Sequence, residues 1–271
     1  MQLPSISELF DSGAKAVLRF PLAMLIALFW TVAVFNEIHS AGFEQSEDLI
    51  VLCIFGFSLS LGVDVFCEAH KFRSIFKWIG RVFALLLLLF FWFTFFENFY
   101  DSESIKFLKF FLMESVSLLF LVVAPYLVRG RNDGFWVYAL RLFERFAQTF
   151  FYFAILFAGI ALLLASIDYL FGIDVDEEIY FDAWTFIVGI LATVFFMVGM
   201  PKSFDGLEND EDRQRGTSLL VNYVLTPLAF LYLIVLYLYI AKILSTWQWP
   251  EGDVSVWIIV FSLASVLNYF F

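Results

Sequence analysis

Acidic side chains inside long apolar segments are the residues of this sequence that are best placed to do chemistry. Asp64 lies in one such segment and Glu114 in another. An acidic side chain at the centre of a bilayer costs about 2.5–3.5 kcal/mol on insertion scales, so each needs a partner or a function. The chemistry that they offer is an ion pair, or the binding and relay of a proton or cation.

Asp64 belongs to a face of small and polar residues. The residues that share this face at helical spacing are Cys53, Gly56, Ser60, Asp64 and Cys67. Such a face packs closely against another helix or lines a water-filled crevice. Lys77 and Arg81 begin the next apolar segment after a short loop. We expect them to form an interfacial ion pair with Asp64, and a proton or cation relay is the alternative.

Glu114 lies a short distance inside its segment, and Ser117 shares its helical face. Lys109 and Lys242 are predicted to enter the membrane from the same side as Glu114. We expect structural pairing of Glu114 with these lysines, and contact with an ion or substrate is the alternative.

A third polar group interrupts the apolar segment "NYVLTPLAFLYLIVLYLYIAK", which contains Asn222, Thr226 and Pro227. Proline cannot donate a backbone hydrogen bond, so Pro227 is predicted to kink this helix. Thr226 and Asn222 can bond a freed carbonyl or a neighbouring helix. This combination fits a packing joint between helices. Broken helices also form substrate sites in transporters, which is the alternative.

The composition indicates which elements carry these residues. Hydrophobic residues make up 62% of the 271, and charged residues 16%, against about 45–50% and about 25% in average globular proteins. A spanning helix needs about 20 largely apolar residues. The segments that qualify are Phe20–Ile38, Leu49–Cys67, Trp78–Phe96, Phe110–Val128, Ala147–Ile167, Ala183–Met200, Thr217–Ile243 and Val254–Phe271. The sequence therefore predicts an all-α, polytopic integral membrane helix bundle with about eight transmembrane helices.

We expect one transmembrane domain over residues 1–271. An interfacial helix is predicted in residues 1–18 and helices 1–4 in residues 20–128. Residues 135–271 then supply a second interfacial helix and helices 5–8, which makes two four-helix halves a further interpretation. Trp136, Leu140 and Phe143 share the apolar face of this second helix. The alternative is a helical extension of the fifth span.

The distribution of Lys and Arg predicts the orientation. With the N-terminus inside, nearly all of them fall in cytoplasmic loops, and only Lys106, Lys109 and Lys242 fall on the other side. Positive charge in short loops favours the cytoplasmic side. We therefore expect the bacterial cytoplasmic (inner) membrane, an N-terminus in the cytoplasm and anionic lipid head groups as partners of the basic loops.

Several chemistries lack a sequence signal. The two histidines fall in predicted loops, and no Walker A loop, dinucleotide fingerprint, HExxH or GxSxG occurs. Cys53 and Cys67 are too far apart on one helix to form a disulfide. No Lys/Arg cluster with interleaved aromatic residues marks a nucleic-acid surface. We therefore expect no metal site, no cofactor, no catalytic residue and no nucleic-acid partner.

The second half of the chain is similar to a known family. The matching stretches are "NDGFWVYALRLFERF", "YLFGIDV", "FFMVGMP", "LLVNYVLTPLAFLYLIVLYLYIAKIL" and "WPEGDVS", with "RFPLAMLIALF" in the first half. They resemble the bacterial membrane family called domain of unknown function 4153. The resemblance implies a polytopic bacterial membrane protein and lends no catalytic or binding residue. Family members often run longer, and this chain stops at "VLNYFF", so both a truncated and a naturally short version stay open.

These observations favour a non-enzymatic membrane scaffold, sensor or complex subunit, with a membrane-protein partner or a second copy of itself. The alternative is a transporter or channel with a polar cavity near Asp64, Glu114 and Asn222. A lipid-modifying enzyme is a third hypothesis. It needs a pocket that joins Asp64 and Arg81 to Arg129 and Arg131.

Overall fold

The computed structural model describes residues 6–39, 46–93, 103–127, 134–172, 174–201 and 226–246. Their regular elements are all helices. They are α1 (Ile6–Arg19), α2 (Pro21–His39), α3 (Ser46–Ala69), α4 (Ser74–Phe91), α5 (Glu103–Val123), α6 (Phe135–Phe171), α7 (Glu177–Phe186), α8 (Thr193–Val198) and α9 (Thr226–Thr246). A short 3₁₀ turn, Ala124–Tyr126, follows α5, and a π-helical segment, Ile187–Ala192, joins α7 to α8.

The predicted all-α membrane fold is confirmed for the described residues. Six stretches are helical, long and apolar enough to cross a membrane: Pro21–His39, Asp48–Ala69, Ser74–Phe91, Leu108–Tyr126, Phe135–Tyr169 and Glu177–Val198. They correspond to the first six predicted spans. A shorter apolar helix, Phe230–Ser245, covers part of the seventh. The eighth predicted span lies outside the described residues, so eight is an approximate count.

The chain divides into two compact units. Of the described residues, the larger unit comprises those within 6–149 and 185–201, and the smaller comprises those within 150–184 and 226–246. In the larger unit, α3 packs against α2, α4 and α5, while α1 packs against α8. The span in α3 is 56% buried and that in α4 only 11%. Helix α3 is therefore the centre of the larger unit, and α4 presents most of its surface outward.

Two apolar clusters hold the larger unit together. In one, Phe20 lies with Leu61 and Val65 of α3, and Tyr138 and Met197 close the cluster from α6 and α8. The members of the other include Leu22, Ile26, Cys53, Phe55, Ala84 and Leu88. Small residues let these helices pack closely against one another. A Cβ placed on Gly62 would lie 2.6 Å from the ring of Phe120, and one on Gly189 would overlap Thr31 of α2.

The π-helical segment widens the helix where α7 leads into α8. The hydroxyl of Thr193 donates to the carbonyl of Val188 across 3.2 Å, five residues earlier. This side-chain bond lies beside the π turn, which has its own backbone bonds between residues five apart and is commonly inserted as a single turn within an α-helix. The widened turn carries Gly189 against Trp30 and Thr31 of α2.

Helix α6 is continuous over 37 residues. At 1.5 Å per residue such a helix is about 55 Å long, well beyond the hydrocarbon core of about 30 Å. The segment that contains Trp136, Leu140 and Phe143 is continuous with the helix of the fifth span, and whether it lies in the membrane interface or extends beyond it stays a prediction. All three side chains are exposed.

The smaller unit contains the second half of α6, the start of α7 and α9. The hydroxyl of Ser166 on α6 lies 3.1 Å from the hydroxyl of Tyr232 on α9, and both residues are buried. Near the end of α9, the ammonium of Lys242 lies 5.4 Å from the ring centre of Phe171. A hydrogen bond and a cation–π contact therefore tie α9 to α6.

Candidate functional site

Asp64 lies at the centre of the most polar region of the larger unit. Its side chain is 1% exposed, and its Oδ1 accepts a hydrogen bond from Nε of Arg81 over 2.8 Å. The Nη2 of Arg81 donates to the backbone carbonyl of Arg19 over 3.2 Å. A buried carboxylate is costly unless it is paired, and Arg81 supplies both the charge and the hydrogen bond.

Glu68 binds a second arginine one turn further along α3. Arg19 approaches its carboxylate with two nitrogens, Nε at 3.0 Å and Nη2 at 2.6 Å from Oε2. The same guanidinium donates to the carbonyls of Met200 and Pro201, at 3.1 and 2.7 Å. Lys77 lies 3.8 Å from the other carboxylate oxygen of Glu68. Arg19 therefore satisfies the carbonyls of two residues that follow the end of α8.

We name Arg19, Asp64, Glu68, Lys77 and Arg81 the ionic cluster. It joins the end of α1, the end of α3, the start of α4 and the residues that follow α8. Three cations face two acids, so its formal charge is +1. No member of the cluster is fully exposed. Through these contacts the cluster connects four segments at one end of the larger unit.

The local sequence explains four of the five members of this cluster. Asp64 and Glu68 are four residues apart on α3, and Lys77 and Arg81 are four apart on α4, so each pair shares a helical face. The pairs 64 with 81 and 68 with 77 are symmetric about the turn between residues 72 and 73. Two antiparallel helices joined by a tight turn bring such positions together. This symmetry is the signal for Glu68, which the sequence reasoning missed.

No comparable pattern in the sequence predicts the contacts of Arg19. The residue is 49 positions from Glu68 and more than 180 from the carbonyls that it binds. In the sequence it is one of several basic residues of the loops predicted to be cytoplasmic. Its role depends on α1 and α8 packing together, which no local pattern specifies.

Glu114 belongs to a separate polar group between α3 and α5. Its Oε2 accepts a hydrogen bond from the hydroxyl of Ser58 over 3.2 Å. Ser58 also lies 2.6 Å from the hydroxyl of Ser117 and 3.0 Å from the carbonyl of Phe55, which is an alternative acceptor for its single proton. The structure thus places a serine against Glu114, and the pairing of Glu114 with Lys109 or Lys242 stays a prediction.

The remaining predicted site residues either lie outside the described residues or stand at the start of α9. Asn222 lies outside the described residues, as do Arg129 and Arg131. Thr226 and Pro227 are the first two residues of α9. The proposed meeting of the Asp64 face with Asn222, and the enzyme pocket with Arg129 and Arg131, therefore stay predictions.

Ser60, on the predicted polar face of α3, is 1% exposed and donates to the carbonyl of Phe57 over 2.9 Å. Cys53 packs in an apolar cluster. Within the described ranges, no three His, Cys, Asp or Glu side chains come together in a way that could bind a metal ion. The polar chemistry of the described region is thus carried by the ionic cluster and by the Glu114 group.

Helices of this length and apolar character, with paired charges between them, define a polytopic α-helical membrane protein. The chain matches the family described as Domain of unknown function (DUF4153) over residues 23–265, and it belongs to that family. It is also 34% identical over 111 residues to the uncharacterized protein PM1469 of Pasteurella multocida (strain Pm70). That match covers 38% of this chain and 18% of the relative, so the chain spans a small part of the relative's length. No solved structure matches.

Proposed function

We propose that this protein is a non-enzymatic scaffold or complex subunit of the bacterial cytoplasmic membrane, with its N-terminus in the cytoplasm. The observation that carries the proposal is the pairing of Asp64 with Arg81 inside the ionic cluster. A transport site must bind and release its ion, whereas Asp64 is buried against a fixed cation that is itself bonded to the α1 backbone. Charges arranged in this way stabilise the contact between helices.

The orientation rests on the same region. The ionic cluster and the turn between α3 and α4 bring Arg19, Lys77 and Arg81 to one end of the helices, together with Lys71 and Arg73. Positive charge of this density next to membrane spans favours the cytoplasmic face. The apolar outer surface of α4 is available to lipid or to another membrane protein, as a scaffold requires.

Solvent access tests the proposal. In a background with Cys53 and Cys67 replaced by Ala, single cysteines are introduced as Ser60→Cys, Ser58→Cys and Lys71→Cys. Intact cells and inverted membrane vesicles are then treated with a membrane-impermeant thiol reagent. We expect labelling at position 71 in inverted vesicles only, and none at 58 or 60 from either side. Labelling at position 71 in intact cells would refute the orientation.

A transporter or channel is the second candidate, and one observation favours it. The Oδ2 of Asp64 is buried and has no hydrogen-bond partner among the described residues. A carboxylate oxygen in this state can accept a bond from water or bind a cation. Labelling at position 60 in the same experiment would mean that water reaches the Asp64 face, and the transporter would then replace the scaffold as the better explanation. Asn222→Cys and Thr226→Cys extend the test to the seventh span.

A further inference from the structure

The turn between α3 and α4 joins two candidate membrane spans, Asp48–Ala69 and Ser74–Phe91, through only four residues. It must therefore lie at a membrane surface. We name this turn and the first residues of α4 the basic turn, and it consists of Lys71, Phe72, Arg73, Ile75, Phe76, Lys77 and Trp78. Its side chains combine two properties, positive charge and exposed apolar area.

The positive charge of the basic turn is not neutralised within the described part of the chain. Lys71 and Arg73 are exposed, and no described carboxylate oxygen lies within 4.0 Å of either side chain. Lys77 lies 3.8 Å from Glu68, but that carboxylate is already bound at 2.6 Å by Arg19. The first turn of α4 contains no acidic residue, and no side chain caps it. The surface therefore presents cations at a helix start that no described carboxylate neutralises.

The apolar area lies directly beside these cations. Ile75 is 65% exposed, Phe76 52% and Trp78 59%, and Phe72 is also exposed. Aromatic rings at the end of a span are typical of the interface between acyl chains and head groups. Basic side chains next to them are placed at the level of the lipid phosphates.

Lys71 also occupies a backbone conformation that disfavours lysine. Its φ is 52°, in the left-handed region, and it ends α3 with a bond from its N–H to the carbonyl of Glu68 over 3.0 Å. Glycine is the usual residue at this position of a helix end, because a Cβ is strained there. The chain therefore has a cation at a place where the backbone alone would favour glycine.

We propose that the basic turn is a binding surface for the head groups of anionic phospholipids. Lys71 and Arg73 bind the phosphates, and Phe72, Phe76 and Trp78 lie at the level where the acyl chains begin. The charge complementarity and the position between two spans select lipid over a soluble partner. This inference is independent of the proposed function, since a scaffold and a transporter would both contain the surface.

The test uses native mass spectrometry of the full-length purified chain. Binding of dioleoyl phosphatidylglycerol is compared with binding of dioleoyl phosphatidylcholine for the wild type, Lys71→Gly and Arg73→Gln. A basic residue near a membrane surface contributes enough to predict about a fivefold loss of affinity for phosphatidylglycerol in each variant. Lys71→Gly also removes the backbone strain, so we expect its melting temperature to equal or exceed that of the wild type. Lys242→Gln, which removes a positive charge in the smaller unit, is the matched control.

Two results would overturn the proposal. One is equal binding of the two lipids by the wild type, which would leave an acidic protein surface as the occupant to seek. The other is a loss of affinity in Lys71→Gly and Arg73→Gln no larger than in Lys242→Gln, because the preference would then reflect total charge rather than this surface. A selective loss in both variants, with the melting temperature of Lys71→Gly retained, is the expected outcome.

Discussion

The Nε of Arg81 lies 2.8 Å from Oδ1 of Asp64, and this bond joins α4 to a carboxylate that is 1% exposed at the centre of the larger unit. The two residues are 17 positions apart and face each other across a tight turn. Because Arg81 also donates to the carbonyl of Arg19, one guanidinium connects α1, α3 and α4. Several properties of the protein are expected to depend on this contact.

The first prediction concerns the pair itself. Arg81→Met leaves the Asp64 carboxylate buried without its cation, and breaking a buried pair in this way costs about 3–5 kcal/mol. We expect a large fall in the melting temperature of the purified protein in detergent. The double variant Asp64→Leu/Arg81→Met buries no charge at this site, and we expect it to regain most of the lost stability. Equal melting temperatures for Arg81→Met and the wild type would show that the pair does not stabilise the fold.

The second prediction tests whether Arg19 acts through the geometry of its guanidinium or through its charge alone. Arg19 bonds Glu68 and the carbonyls of Met200 and Pro201 at the same time, which requires a planar fork of donors. Arg19→Lys retains the charge but cannot make all of these bonds. We expect faster amide hydrogen exchange at the end of α8 in this variant, measured by mass spectrometry.

Lys15→Gln is the control for Arg19. Lys15 lies one turn earlier on α1 and is exposed, so its replacement should leave exchange at the end of α8 unchanged. Wild-type exchange in Arg19→Lys would mean that the charge alone, and not the fork, holds this segment.

The third prediction compares two glycines. A Cβ on Gly189 would overlap Thr31 and lie 3.2 Å from the ring of Trp30, so Gly189→Ala forces α2 and the π-helical segment apart. Overpacking of this kind costs about 1–3 kcal/mol. Gly13 lies inside α1, and a Cβ there meets only Val194 at an ordinary 3.5 Å.

Gly13→Ala should therefore raise stability by up to about 1 kcal/mol, since alanine favours a helix more than glycine does. Thermal unfolding of both variants in the same detergent measures the difference. The close approach at Gly189 would be wrong if Gly189→Ala melted at or above the temperature of Gly13→Ala.

Some contacts of the site could be predicted from the sequence. Arg81 and Asp64 are separated by one short turn, so their pairing follows from the geometry of two antiparallel helices. The same geometry pairs Lys77 with Glu68. The lysine partners expected for Glu114 rest on shared depth in the membrane alone and stay predictions. The contact of Glu114 with Ser58 had no signal in the sequence, because the rotation of α5 against α3 decides which side chain faces the carboxylate.

The sequence by itself determined that this is an all-α membrane protein and where its first six spans lie. The length and mean hydropathy of a span can be read from one continuous stretch of sequence. A chain that crosses lipid must form a continuous apolar helix there, because its backbone polar groups have no water to bond. Only the tertiary structure decided that Arg19 bonds Glu68 and the end of α8, and that Gly189 contacts α2. These contacts join segments far apart in the chain. They depend on helix rotations that packing selects, because the largely apolar surfaces of most spans mark no unique partner.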